Sequence, residues 1–218
     1  MKNSCNQTEC GRIKTESGVS VYVAQLPSEL SSLPLYPRTR DEEVRAVKNE
    51  RLRLQKYYVW KLLGYALKDA FGDEIFGLDF QKGKGGKWTS SKHFFSLSHS
   101  RQALVAAVAD VPVGVDVEWQ NSEKSFSMER GLTEQENTEF SGVLPSERIA
   151  YLTDKWASKE SIFKLVGRGR FVPSKIAETD AVIAKARITV CGEVYSLAVA
   201  TEQRACVKVV ELAGENWC

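Results

Sequence analysis

The chain of 218 residues sets 30 Lys and Arg against 28 Asp and Glu, a formal net charge of +2, and 43% of it is hydrophobic. That is enough for one large domain or two smaller ones with a real core. The balanced charge gives no case for a nucleic-acid binder, and no apolar run approaches the roughly 20 residues that span a bilayer.

In chain order, residues 1–18 are polar and read as loose, with no apolar segment of a secretory signal. VSVYVAQL alternates and predicts a first strand. From about Asp41 to Phe71 the chain is rich in helix formers, with Leu54, Tyr58, Leu62 and Tyr65 at helical spacing, so one long helix is expected. QKGKGGKW reads as a Gly- and Lys-rich loop, then HFFSLSHS, ALVAAVADV and GVDVEWQ as strands. A second helical region covers about Thr133–Phe140 and Ser146–Val166, and ARITVCG, VYSLAVAT and ACVKVVEL close the chain as strands. The sequence therefore predicts an α+β fold of two similar halves, residues 1–112 and 113–218, each with a hairpin-like strand pair. A ligand site is expected between them. Cys5, Cys10, Cys191, Cys206 and Cys218 form no CxxC pair. Free thiols in a reducing compartment are expected, which points to the cytoplasm.

GVDVEWQ poses a chemical question. Val113, Val115 and Val117 take one face of the strand, which leaves Gly114, Asp116 and Glu118 on the other. Two carboxylates side by side repel unless something positive lies between them. In the second long helix Leu152, Trp156, Phe163 and Val166 mark an apolar face, and Glu160 falls on that stripe. A buried carboxylate is costly unless paired or bound to a cation. Lys164, four residues on, offers a helical ion pair. Three carboxylates without a nearby His or Cys suit a hard, oxygen-loving ion, and Mg²⁺ when phosphate is the co-ligand. Candidate phosphate contacts lie near: Ser98 and His99 at a strand end, Lys84 and Lys87 in the Gly-rich loop, and Arg45 with Lys48 three apart on the first helix. Each also has a plain structural reading, as a local cap, a flexible turn or a solvated basic face.

Three segments together resemble one family. FFSLSHS, GVDVEWQ and WASKESIFKLVGRG are similar to the three motifs of the 4′-phosphopantetheinyl transferases: FNxSHS, GIDIE and WxxKESxxKxxGxG. The resemblance is dense from about residue 94 to 170, and the length suits the larger, monomeric, pseudo-twofold type. It implies Mg²⁺ on Asp116, Glu118 and Glu160, and coenzyme A as co-substrate. It places Ser98 and His99 at the ribose and 3′-phosphate end, Lys159 and Lys164 at the pyrophosphate, Arg45 and Lys48 at the adenosine 3′-phosphate, and Lys84 or Lys87 on the coenzyme A side. Lys61 stands one position from an Arg of the family pattern, and Ser96 replaces its Asn. The implied partner is an apo acyl or peptidyl carrier protein, an acidic four-helix domain, with docking over Ser122–Ser141 and Lys124 or Arg130 contributing. The implied catalytic residues are Glu160, Lys164 and Asp116, with Glu160 as the base. A coenzyme A-binding module without catalysis and a Mg²⁺-dependent phosphohydrolase are the rival expectations.

Overall fold

The computed structural model describes residues 18–83, 86–214 and 217. The fold is α+β, in layers: helix, sheet, sheet, helix. Strand β1 (Gly18–Gln25) lies in the first sheet between β5 (Ala103–Ala109) and β9 (Cys206–Leu212), with β4 (Phe94–Ser100) beyond β5. The second sheet has the order β6 (Val113–Trp119), β8 (Glu193–Thr201), β7 (Val182–Val190). A small hairpin, β2 (Phe80–Lys82) and β3 (Trp88–Ser90), flanks the Gly-rich loop.

Alternation along each strand builds these layers. Tyr22, Leu104, Ala106 and Val108 face helix α2 (Glu50–Phe71), where they meet Leu62, Leu63 and Leu67. Val19, Val21, Val23, Val105 and Ala107 face the other way. There they pack on Val113, Val115 and Val117 of β6 with Leu197 and Val199 of β8. The valines of GVDVEWQ thus fill the seam between the sheets. Helix α5 (Arg148–Val166) covers the outer face of β6 and β8, and the short helices α3 (Ser125–Glu129) and α4 (Glu134–Ser141) precede it.

The structure changes four expectations. The long first helix is two: α1 (Arg38–Arg45) ends at Ala46, and α2 starts after Asn49, whose side chain accepts the Leu52 N–H at 2.9 Å. A run of good helix formers conceals such a break, and the Asn cap marks it. Lys48 therefore lies between helices rather than on a shared face with Arg45. The C-terminal strand does not respect a division at residue 112: β9 runs parallel to β1 in the first sheet. For the same reason β8 and β9 are not a hairpin, whereas β4 and β5 are an antiparallel pair. Finally, α5 buries Leu152, Ala157, Ser158, Ser161 and Ile162, while Val166 on the expected stripe is exposed. The contact face is made of small residues because the helix lies very close to β6. A Cβ on Gly114 would stand 1.9 Å from the Ser161 carbonyl oxygen and 2.5 Å from the Leu165 nitrogen. Gly114 is required there by space.

Candidate active site

The two sheets are joined at one edge by serines. Ser96, Ser98 and Ser100 alternate along β4 and turn towards β6. Their hydroxyl oxygens accept the N–H groups of Val115 (3.0 Å), Val117 (3.2 Å) and Trp119 (3.1 Å). A side-chain ladder thus replaces a backbone ladder across the seam. Each hydroxyl keeps one proton to donate. Ser98 gives it to Asp116 Oδ1 at 2.7 Å and Ser100 to Glu118 Oε2 at 3.1 Å. The acids that posed the question are therefore buried and oriented by the neighbouring strand: Asp116 is 2% exposed and Glu118 7%.

Helix α5 brings the third acid and a cation. Lys164 Nζ donates to Asp116 Oδ1 at 2.6 Å and to Ser98 Oγ at 3.1 Å, and stands 3.8 Å from Glu160 Oε2. Glu160 accepts the Trp156 indole N–H at 3.0 Å. Burial, then the charge of Asp116, pushes the Glu160 carboxyl up to about 7. Burial, then Asp116, also raises Glu118. Both shifts come from burial first and from the neighbouring carboxylate second, and the nearby lysines offset them only in part. Among the described residues no three His, Cys, Asp or Glu side chains are gathered into a ready cation site. Yet Asp116 Oδ2 is buried with no hydrogen-bond partner. An all-oxygen donor set with a free buried oxygen fits a hard divalent cation.

A cavity of about 360 Å³ opens beside this row. Arg40, Lys56, Lys87 and Lys164 supply positive charge to its walls, and Trp60, Trp88, Phe95 and Phe163 supply apolar surface. Arg40 is buried against the Trp60 ring, 4.8 Å from its centroid, and its Nε has no acceptor. Burial lowers its pKa. Lys87 reaches across the seam and donates to the Lys164 carbonyl at the C-terminal end of α5. Its pKa is lowered by burial and by the neighbouring Lys164. His99 lies on the α2 side of β4. Burial, then Lys164, Lys56 and Arg40, holds its imidazole down at about 4, so it is neutral near pH 7. Phosphates and an aromatic base suit such a cavity.

The expected residues divide clearly. Asp116, Glu118, Glu160, Lys164, Lys87, Ser98 and His99 gather at the seam. Ser98 is committed: it accepts two donors and gives its proton to Asp116. Lys159 is buried at 1% exposure. Its ammonium meets Glu136 at 2.7 Å and the carbonyls of Pro173 (3.0 Å) and Ile176 (2.6 Å), which uses all three of its donors. It ties the loop after α5 to α4, and its expected place at a pyrophosphate is not what the structure shows. Arg45 is paired with Asp41 at 2.8 Å, Lys48 is exposed, and Lys61 lines a separate cavity with Tyr36, Tyr65 and Trp217. None of these three lines the cleft by the acids. Lys84 lies outside the described residues. Arg40 and Lys56 were missed. For Lys56 a signal existed, since it falls four residues before Trp60 on one face of α2.

The family model of the 4′-phosphopantetheinyl transferase superfamily matches residues 112–210. The 4′-phosphopantetheinyl transferase of Bacillus subtilis is 28% identical over 116 residues, 51% of each chain. The 4′-phosphopantetheinyl transferase gsp of Aneurinibacillus migulanus is 27% identical over 95 residues, 43% of this chain and 40% of the relative. The 4′-phosphopantetheinyl transferase psf-1 of Bacillus pumilus is 35% identical over 75 residues, 34% of this chain and 32% of the relative. The chain thus spans about half the length, or less, of the curated relatives it matches. Residues 112–210, which carry all three carboxylates and Lys164, are thus the part of the chain that matches the 4′-phosphopantetheinyl transferase superfamily.

Proposed function

We propose that the protein transfers 4′-phosphopantetheine from coenzyme A to a serine of an apo acyl or peptidyl carrier protein, with Mg²⁺, and releases adenosine 3′,5′-bisphosphate. The observation that carries this reading is a pair of orphans. Among the described residues the buried side-chain atoms without partners are Arg40 Nε and Asp116 Oδ2. One is a cationic donor in the cavity wall. The other is an anionic acceptor on a residue bonded to Lys164 in that same wall. A ligand with phosphate oxygens and a divalent cation supplies the missing partner of each.

In this reading the adenine and ribose lie against Trp60, Trp88 and the neutral His99, while Arg40, Lys56 and Lys87 neutralise phosphate charge. Mg²⁺ held by Asp116, Glu118 and Glu160 would draw electron density from the pyrophosphate and favour the leaving bisphosphate. Lys164, already at Asp116, holds positive charge where the leaving oxygen develops its own. The carrier serine attacks the β-phosphorus and must lose a proton, a role assigned to Glu160. Positioning accounts for most of the rate, as in other phosphoryl transfers. We further propose that the enzyme works as a cytoplasmic monomer of two pseudo-twofold halves, the first completed by β9 crossing from the second. No described helix is long and apolar enough to cross a membrane.

The test is the intact mass of an apo carrier protein after incubation with this protein, coenzyme A and Mg²⁺, beside an Asp116→Ala control shown to fold by circular dichroism. A gain of one phosphopantetheine arm, lost in the control, is expected. Consumption of coenzyme A without a gain on any carrier would replace the reading with a hydrolase. Binding of coenzyme A with neither reaction would replace it with a binding module.

A further inference from the structure

Lys159 and Lys164 lie on the same helix and are held in opposite ways. Lys159 is closed on three acceptors. The Lys164 side chain is 26% exposed and forms part of the wall of the cationic cavity. Its ammonium nevertheless points at the acids: 2.6 Å from Asp116 Oδ1, 3.1 Å from Ser98 Oγ and 3.8 Å from Glu160 Oε2. Among the described residues no other cation touches two of the three carboxylates.

That position is the one a divalent ion would need. Glu160 Oε1 accepts the Trp156 indole N–H and Glu118 Oε2 accepts the Ser100 hydroxyl, which leaves Glu160 Oε2, Glu118 Oε1 and Asp116 Oδ2 for a further partner. Of these, Glu160 Oε2 faces Lys164, and Glu118 Oε1 has Lys124 at 3.5 Å. An ammonium therefore lies between Asp116 and Glu160, and a second positive charge in that gap is repelled by it.

Withdrawal of Lys164 leaves no hydroxyl orphaned. Ser98 Oγ still accepts the Val117 N–H at 3.2 Å and still donates to Asp116 Oδ1 at 2.7 Å. What the row loses is charge, and a divalent cation restores charge. The cavity, however, is already lined by Arg40, Lys56 and Lys87. An ammonium turns into such a wall only when an anion is there to receive it.

We infer that Lys164 holds the acidic row closed to a cation that arrives alone, and that a phosphate-bearing ligand in the cavity opens the row by drawing the ammonium away, so that cation and phosphate bind together. This rests on the cation site of the proposed function and goes beyond it. There Lys164 adds charge; here it decides when the cation enters. By linkage, each of the two ligands strengthens the binding of the other by the same factor.

The experiment uses Mn²⁺, a hard divalent ion that takes oxygen donors and whose free form is counted by electron paramagnetic resonance. Binding is measured without and with saturating coenzyme A for the wild type, Lys164→Met, Lys164→Gln and Lys124→Met. Asp116→Ala with coenzyme A gives the background of ion held by the coenzyme itself. Circular dichroism checks folding, and the two substitutions at 164 keep the test decisive where one of them misfolds. The wild type should bind Mn²⁺ at least about tenfold more weakly without coenzyme A than with it. Contact between phosphate and ion also couples the two, so the variants decide. Both variants at 164 should bind Mn²⁺ alone about tenfold more tightly than the wild type. Lys124→Met, which removes the exposed cation beside Glu118, should gain about threefold or less. Mn²⁺ bound by the wild type as tightly without coenzyme A as with it would overturn the inference. So would variants at 164 that bind Mn²⁺ alone no better than the wild type, or an equal gain in Lys124→Met, which would reduce the effect to general repulsion. No Mn²⁺ bound by any of these proteins even with coenzyme A removes the cation site of the proposed function itself, and this inference with it.

Discussion

Gly114→Ala is the sharpest test of how the site is assembled. The added methyl carbon would stand 1.9 Å from a backbone carbonyl oxygen of α5 and 2.5 Å from a backbone nitrogen. Neither is a flexible side-chain tip, so β6 and α5 must part by roughly 1 Å before the nearer contact reaches even 3.0 Å. The face that separates is buried: Ala157, Ser158, Ser161 and Ile162 on the helix, and Ala198 and Ala200 on β8. Overpacking a tight core costs about 1–3 kcal/mol, occasionally more, and a clash with backbone belongs at the upper end. At about 2–4 °C per kcal/mol for a chain of this size, about 3 kcal/mol lowers Tm by about 6–12 °C. Differential scanning fluorimetry reads it. Gly142→Ala is the control, because its Cβ would meet no atom closer than Glu139 O at 3.6 Å; it should move Tm by about 1 °C or less. A Gly114→Ala Tm within about 2 °C of wild type would refute the close approach of α5, and with it the reason Lys164 and Glu160 reach Asp116.

Lys159→Met should lower the stability of the ligand-free protein by about 3 kcal/mol, because buried Glu136 loses its closest cation and keeps only Lys155 at 4.0 Å and the Thr133 N–H. Urea unfolding checks this; unchanged ligand-free stability together with weakened coenzyme A binding would return Lys159 to the pyrophosphate. His99 should titrate near 4 by NMR. With its pKa below the unfolded value of about 6.5, the stability it contributes is present above pH 6.5 and is lost as pH falls through 4; a midpoint near 6.5 would disprove its burial among cations. Glu160 has the opposite sign. Its carboxyl is raised from 4.5 to about 7, so its contribution is full below pH 4.5 and disappears as pH rises through 7. Glu160→Gln should flatten that slope. Adding Mg²⁺ near pH 6.5 in weak buffer should release protons from the wild type more than from Glu160→Gln, and equal release would show that Glu160 does not meet the cation.

Local pattern made some of this legible and long-range geometry hid the rest. Period two exposed β6 and put its valines in the core and its acids on the other face. The left-handed stop of α5 falls at Gly167, which has φ 68°, a residue type that marks such an end in sequence. What pattern could not show was proximity. An apolar-stripe search passes over Ala157, Ser158 and Ser161, since small residues signal close packing rather than hydrophobicity. Lys159 was expected at the pyrophosphate because sequence does not reveal that Glu136 and two carbonyls surround it. β9 looked like the partner of β8 because neighbours in sequence usually pair, whereas its true partner, β1, lies at the other end of the described chain. The serines were visible at positions 96, 98 and 100, but their meaning needed β6 beside them.

Those serines explain how two adjacent carboxylates are tolerated. Each hydroxyl oxygen takes a β6 N–H, so its single proton is left to point at an acid. The bond that joins the sheets is thus the bond that orients Asp116 and Glu118. Lys164 closes the arrangement from α5, and Lys87 joins that helix's end to the first half. The junction cannot slide without turning the carboxylates, and the carboxylates cannot turn without leaving a buried hydroxyl proton unpaired, at about 1–3 kcal/mol. The repulsion between the acids is therefore carried by the seam itself, which leaves Asp116 Oδ2 without an internal partner, as the proposed cation site requires.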